Sequence, residues 1–141
     1  ADVAPNHAPI LDFRDNETFA AREGLHVVKA NPNQGHDVHS HFSGFTAWEV
    51  QRGAHFEYTS HYTLSDFDLI GRDPSRFNNS ETGISFGNNT SDMTVVDATI
   101  VGFNQAAIDL HKKSVNPVFD DSLHNYQIVG GEFEEGTDID D

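Results

Sequence analysis

Three histidines and an aspartate fall within the run HDVHSHF at residues 36–42. In an extended segment side chains alternate between faces, so His39 and His41 share one face while His36 and Asp37 lie at its start. Two imidazoles on one face are a pair of ligands for zinc or copper, and a third ligand must come from elsewhere, with His55, His61 and Asp37 as candidates. No diagnostic ligand spacing joins these residues, and the plainer reading is a polar strand edge.

A second group lies in AHFEYTSHY at residues 54–62, which holds His55, Tyr58, His61 and Tyr62. Tyrosine beside histidine is a proton-transfer pair suited to β-elimination or epimerisation at a uronate. His55, Tyr58 and His61 are therefore candidate substrate-binding residues, and with Asp66 they are candidate catalytic ones. Tyr62 falls by parity into an apolar column and reads as core. Asp66 and Asp97 occupy equivalent bends of a repeat, about 4.8 Å apart if the strands stack. Such a pair either shares a proton, bridges a cation or caps backbone N–H groups, capping being the plainer role. The acidic tail EFEEGTDIDD adds Asp138, Asp140 and Asp141 as candidate calcium ligands beside Asp66 and Asp97, or simply a solvated end.

Composition limits what these groups can do. Eight Lys and Arg stand against 23 Asp and Glu, a net charge of −15 that repels nucleic acid and anionic membranes and favours cations. There is no cysteine, which removes disulfides and thiolate chemistry. No apolar run is long enough for a membrane span. The HExxH, GxSxG, Walker, GxGxxG and EF-hand patterns read as missing, which removes several common enzyme classes.

These residues need a scaffold, and an internal repeat supplies it. YTLSDFDLIG (62–71), MTVVDATIVG (93–102) and YQIVGGEFEE (126–135) superimpose without gaps. Leu64, Val95 and Ile128 coincide, as do Leu69, Ile100 and Phe133. The two columns are an odd number of residues apart, so a straight strand would point them to opposite faces. A bend at Ser65–Asp66, Val96–Asp97 and Val129–Gly130 restores a common inward direction. A second family, TAWEV, TGISF, AAIDL and TDIDD, aligns Trp48, Ile84, Ile108 and Ile139 in one column, which makes Trp48 a core residue. Short bent strands joined by polar loops of variable length predict an all-β, right-handed parallel β-helix, a solenoid, with coils over 35–141. Residues 1–34 read as a linker and an irregular N-terminal cap, with a short helix in ETFAAREGL capped by Asn16 and stopped by Gly24.

The stretch HSHFSGFTAWEVQRGAHFEYTSHYTLSDFDLIG, followed by ETGISF and MTVVDATIVGF, resembles the parallel β-helix of G8-domain proteins, the group that includes fibrocystin-like proteins and the cell-surface hyaluronidase. APNHAPI near the N-terminus is similar to linkers in large secreted bacterial adhesins and calcium-binding RTX proteins. What the resemblance implies is an extracellular, secreted setting, contact with polysaccharide, and further domains of a larger parent chain. It brings no catalytic residue with it. The expected function is a non-catalytic polysaccharide-contacting or adhesive β-helix segment. The alternatives are a lyase, epimerase or hydrolase acting on uronate-containing glycans, and a calcium-stabilised spacer; calcium is the expected ion ahead of zinc.

Overall fold

The structure is a computed structural model and describes residues 8–29, 38–72, 80–88, 90–110, 126–134 and 139–140. Every element in it is a strand. The first three, β1 (Asp12–Arg14), β2 (Glu17–Phe19) and β3 (Glu23–Val28), make one circuit, and four more circuits follow in the same order. They are β4 (Ser40–Ser43), β5 (Thr46–Val50) and β6 (Arg52–Glu57); β7 (Ser60–Ser65), β8 (Asp68–Gly71) and β9 (Thr82–Phe86); β10 (Ser91–Val96), β11 (Thr99–Val101) and β12 (Ala106–Leu110); and β13 (Tyr126–Val129), β14 (Glu132–Glu134) and β15 (Ile139–Asp140). Each circuit adds one strand to each of three five-stranded parallel sheets, ordered β1-β4-β7-β10-β13, β2-β5-β8-β11-β14 and β3-β6-β9-β12-β15. The chain is a parallel β-solenoid.

The stacked columns follow the repeat. Leu64 pairs with Val95 and Val95 with Ile128, while Leu69 pairs with Ile100 and Ile100 with Phe133. Phe42, Tyr62, Leu64, Leu69, Met93, Val95 and Ile100 are all buried. Their rings and methyls fill the space between the sheets, as when Phe42 stands 5.3 Å from Tyr62 and Phe45 5.4 Å from Phe67.

The bend between the first and second sheets is a column of left-handed residues: Asp15 (φ 57), Gly44 (φ 68), Asp66 (φ 55), Asp97 (φ 53) and Gly130 (φ 66). Glycine enters this region without a Cβ penalty and aspartate tolerates it better than most side chains, so the corner column is made of these two residue types. The backbone N–H of each of the first four donates to a carbonyl of the adjacent rung, which locks the corner into the stack. The Asp15 and Asp97 carboxylates lie over Gly44 and Gly130, where a Cβ would collide with them. Asp66 and Asp97 are thus consecutive corner residues, and the turn itself accounts for their type.

Two sequence expectations are corrected. ETFAAREGL is not a helix: its residues form β2 and the start of β3, because pairing with β5 and β6 satisfies the backbone where a short isolated helix would gain little. TAWEV does not align with TGISF either. It pairs with β8 in the second sheet, and the residue in register with Ile84 and Ile108 is Ala54. Trp48 therefore leaves the isoleucine column and faces outward, 36% exposed, stacked at 5.3 Å on Phe19, which is 64% exposed.

Candidate functional site

The outer face of the third sheet carries the densest set of polar side chains. In β6, Ala54 and Phe56 turn inward, so His55 and Glu57 project outward, while Arg52 at the start of the strand also reaches solvent. Register places His55 beside His26 on one side and Ser85 on the other, and Ser85 beside Asp109. Arg52, His55, Glu57, Ser85 and Asp109, with Glu81, Gln105 and Asn88, line a groove of about 320 Å³ across three successive rungs. That volume lies at the lower end of what small-molecule sites occupy.

Arg52 anchors one end. Its guanidinium is held between Glu81, through Nε, and Glu23, through Nη1 at 3.2 Å. Gln51 Nε2 donates to the other Glu81 oxygen at 2.7 Å, and Glu23 also meets His26 Nδ1 at 2.6 Å. Burial works to raise the Glu23 carboxyl, but the His26 and Arg52 contacts outweigh it and hold the pKa below its ordinary value. The Glu81 hydrogen bond, opposed by burial and aided by Glu23, pushes the Arg52 guanidinium higher still. The positive charge is spent on two carboxylates, which leaves the groove rich in acceptors.

At the centre His55 Nδ1 lies 2.6 Å from Ser85 Oγ, and Nε2 lies 3.8 Å from a Glu57 oxygen. Burial pushes the imidazole pKa below its ordinary value against the pull of the Glu57 charge. A neutral His55 can accept a proton or a hydrogen bond from a hydroxyl. Gly87 makes this packing possible, because a Cβ there would meet the His55 ring at 2.9 Å. Residues 83–87 read Gly-Ile-Ser-Phe-Gly, a G-x-S-x-G sequence, which corrects the reading of that pattern as missing. Ser85 sits inside continuous strand β9, not on the strand-to-helix turn that exposes a serine nucleophile in that motif.

The expected cluster of His55, Tyr58 and His61 is divided. His55 belongs to the groove, Tyr58 takes a left-handed corner (φ 53) after β6, and His61 is the second residue of β7 in the first sheet. His61 Nδ1 stands 2.6 Å from Asp92 Oδ2, and its ring is 5.2 Å from that of His39. His39, His61 and Asp92 offer ligand atoms that all lie within 4.8 Å of one another. His41 is not part of this group; it is exposed on β4 in register with Asp12 and Thr63. His36, Asp37, Asp138 and Asp141 lie outside the described residues, as does the side chain of Asp140.

Asp92 was legible in principle, since the repeat offset that carries Tyr62 to Met93 also carries His61 to Asp92. Aligning TGISF with AAIDL also set Ser85 beside Asp109; His55 was missed as their neighbour because TAWEV stood in that family where the strand over Arg52–Glu57 belongs. No family model matches the chain, and neither does any curated protein or solved structure. No helix among the described residues is long and apolar enough to cross a membrane.

Proposed function

We propose that the solenoid binds a neutral polysaccharide in the groove over its third sheet, as a non-catalytic, extracellular contact module of a larger protein. The observation that carries this reading is the in-register polar ladder of His55, Ser85 and Asp109, flanked by Glu81 and Gln105 across the same rungs. Side chains repeating about every 4.8 Å suit an extended polymer lying along the solenoid, each rung meeting the next segment. Carboxylates and amides hydrogen-bond neighbouring hydroxyls, and a neutral His55 adds an acceptor. The extracellular setting draws on the resemblance to G8-domain proteins.

Uronate polymers are the poorer fit. The groove's arginine is already paired with Glu23 and Glu81, and the chain carries −15. Each uronate would bring a further negative charge with no open cation among the described residues of this groove to meet it.

Affinity electrophoresis in gels containing neutral or uronate polysaccharides tests the reading. Retardation is expected in at least one neutral polymer, reduced in Asp109→Asn and Gln105→Ala and retained in Trp48→Ala. Retardation lost only in Trp48→Ala would move the contact to the Phe19–Trp48 stack and overturn the groove assignment.

One observation favours a second reading, that of a hydrolase. The short Ser85–His55 hydrogen bond with Glu57 beyond it has the order of a nucleophile, a base and an orienting acid. Glu57 at 3.8 Å is outside hydrogen-bond reach, which is why binding stands first. Ester or glycosidic cleavage that disappears in Ser85→Ala would reverse that order.

A further inference from the structure

We propose that His39, His61 and Asp92 form a binding site for one zinc-class divalent cation on the first sheet, separate from the groove. The register builds the site. Ser40 pairs with Tyr62 and Tyr62 with Met93, so the residues immediately before them, His39, His61 and Asp92, stand in one column on three successive rungs. Two of the three hold an uncommon backbone conformation, His61 at φ 63 and Asp92 at φ 51. Left-handed residues recur at other corners of the solenoid, Tyr58, Asp66 and Asp97 among them, so the two rungs present these side chains from the same backbone geometry.

The donor set selects the ion. Two imidazoles and one carboxylate suit zinc and its first-row neighbours, whereas calcium takes six to eight oxygens and finds one carboxylate here. Tetrahedral zinc with bonds of about 2.0–2.1 Å needs ligand atoms about 3.3 Å apart. The three present lie within 4.8 Å of one another, and His61 and Asp92 already meet at 2.6 Å. The ion would wedge between that pair as they open slightly, while exposed His39 rotates in to complete the set. Three protein ligands leave a fourth position for water, as in zinc sites that do chemistry and unlike closed structural ones.

Calorimetric titration of the metal-stripped full chain with zinc chloride, together with the visible spectrum of the cobalt-substituted form, tests the site. The expected result is one zinc per chain and a tetrahedral cobalt band. Affinity should fall about tenfold or more in His61→Ala and in Asp92→Asn, the scale on which donors at such centres matter. His26→Ala, which alters the other stacked histidine pair, should leave the isotherm unchanged. Circular dichroism checks that the variants fold; if His61→Ala does not, the near-isosteric Asp92→Asn decides. Zinc uptake indifferent to Asp92→Asn, uptake lost in His41→Ala instead, or no uptake below millimolar zinc each overturns the proposal.

Discussion

His55 is a base kept below its ordinary pKa by burial, and this fixes the sign of one pH effect. In the unfolded chain a histidine takes up its proton near about 6.5, before the folded one does. Between the two pKa values the unfolded state binds more protons, so stability rises with pH and is lost as pH falls below about 6.5. Acidification also relieves the overall negative charge, so the informative quantity is a comparison. Wild type should lose more melting temperature between about pH 7 and about pH 5 than His55→Gln does. Parallel curves would mean that the groove does not disfavour the imidazolium. Tyr62 gives a second test: burial raises its phenol pKa, opposed by the nearby Ser40 hydroxyl, yet Tyr62 Oη completes no hydrogen bond. A buried hydroxyl without a partner costs about 1–3 kcal/mol, so Tyr62→Phe should melt at the same temperature or higher. A large drop would reveal a hydrogen bond at that oxygen.

At the scale of elements, rungs approach so closely that small residues become obligatory in the third sheet. A Cβ on Gly53 would overlap the Gly83 carbonyl oxygen, and one on Gly83 would overlap the Ile100 side chain and the Ala107 carbonyl oxygen. Gly53→Ala should destabilise by about 1–3 kcal/mol, the range for overpacking against groups that cannot move aside. Ile100→Ala, which empties a fully buried column position, should cost about 2–5 kcal/mol. Trp48→Ala should cost less than Ile100→Ala despite the larger side chain, because Trp48 is partly exposed; chemical denaturation midpoints of the variants check the order. The same elements show what the sequence could reveal. Over the last three rungs the first two sheets follow a nearly constant repeat, separated by a one-residue left-handed bend, so Leu64, Val95, Leu69 and Ile100 aligned on inspection. Trp48 misled because Ala47, Trp48 and Val50 put apolar side chains on both faces of β5, and parity cannot tell an outward tryptophan from an inward one without a rung beside it. The helix over residues 17–24 was read from local propensity, which pairing with β5 and β6 overrides.

The whole molecule is a stack in which each rung meets mainly its neighbours, so stability is a sum of interfaces between rungs. This architecture turns a repeat into ladders of identical geometry on the outside as well as the inside. The groove and the His39–His61–Asp92 column are two such ladders on different sheets, one proposed to meet glycan hydroxyls and the other an ion. Net charge separates them from polyanions, and retardation in neutral polysaccharide should therefore exceed that in uronate polymer most clearly at low ionic strength, where screening is weakest. Stronger binding to the uronate polymer at low salt would contradict the assignment of substrate class. The central claim, that a neutral glycan lies across the third sheet, is tested most directly by amide chemical-shift mapping during titration with an oligosaccharide of the retarding polymer. The account predicts that shifts concentrate at Arg52, His55, Ser85, Gln105 and Asp109, and that Trp48, His61 and Asp92 stay in place. Shifts centred on Phe19 and Trp48, with His55 and Asp109 unmoved, would contradict it.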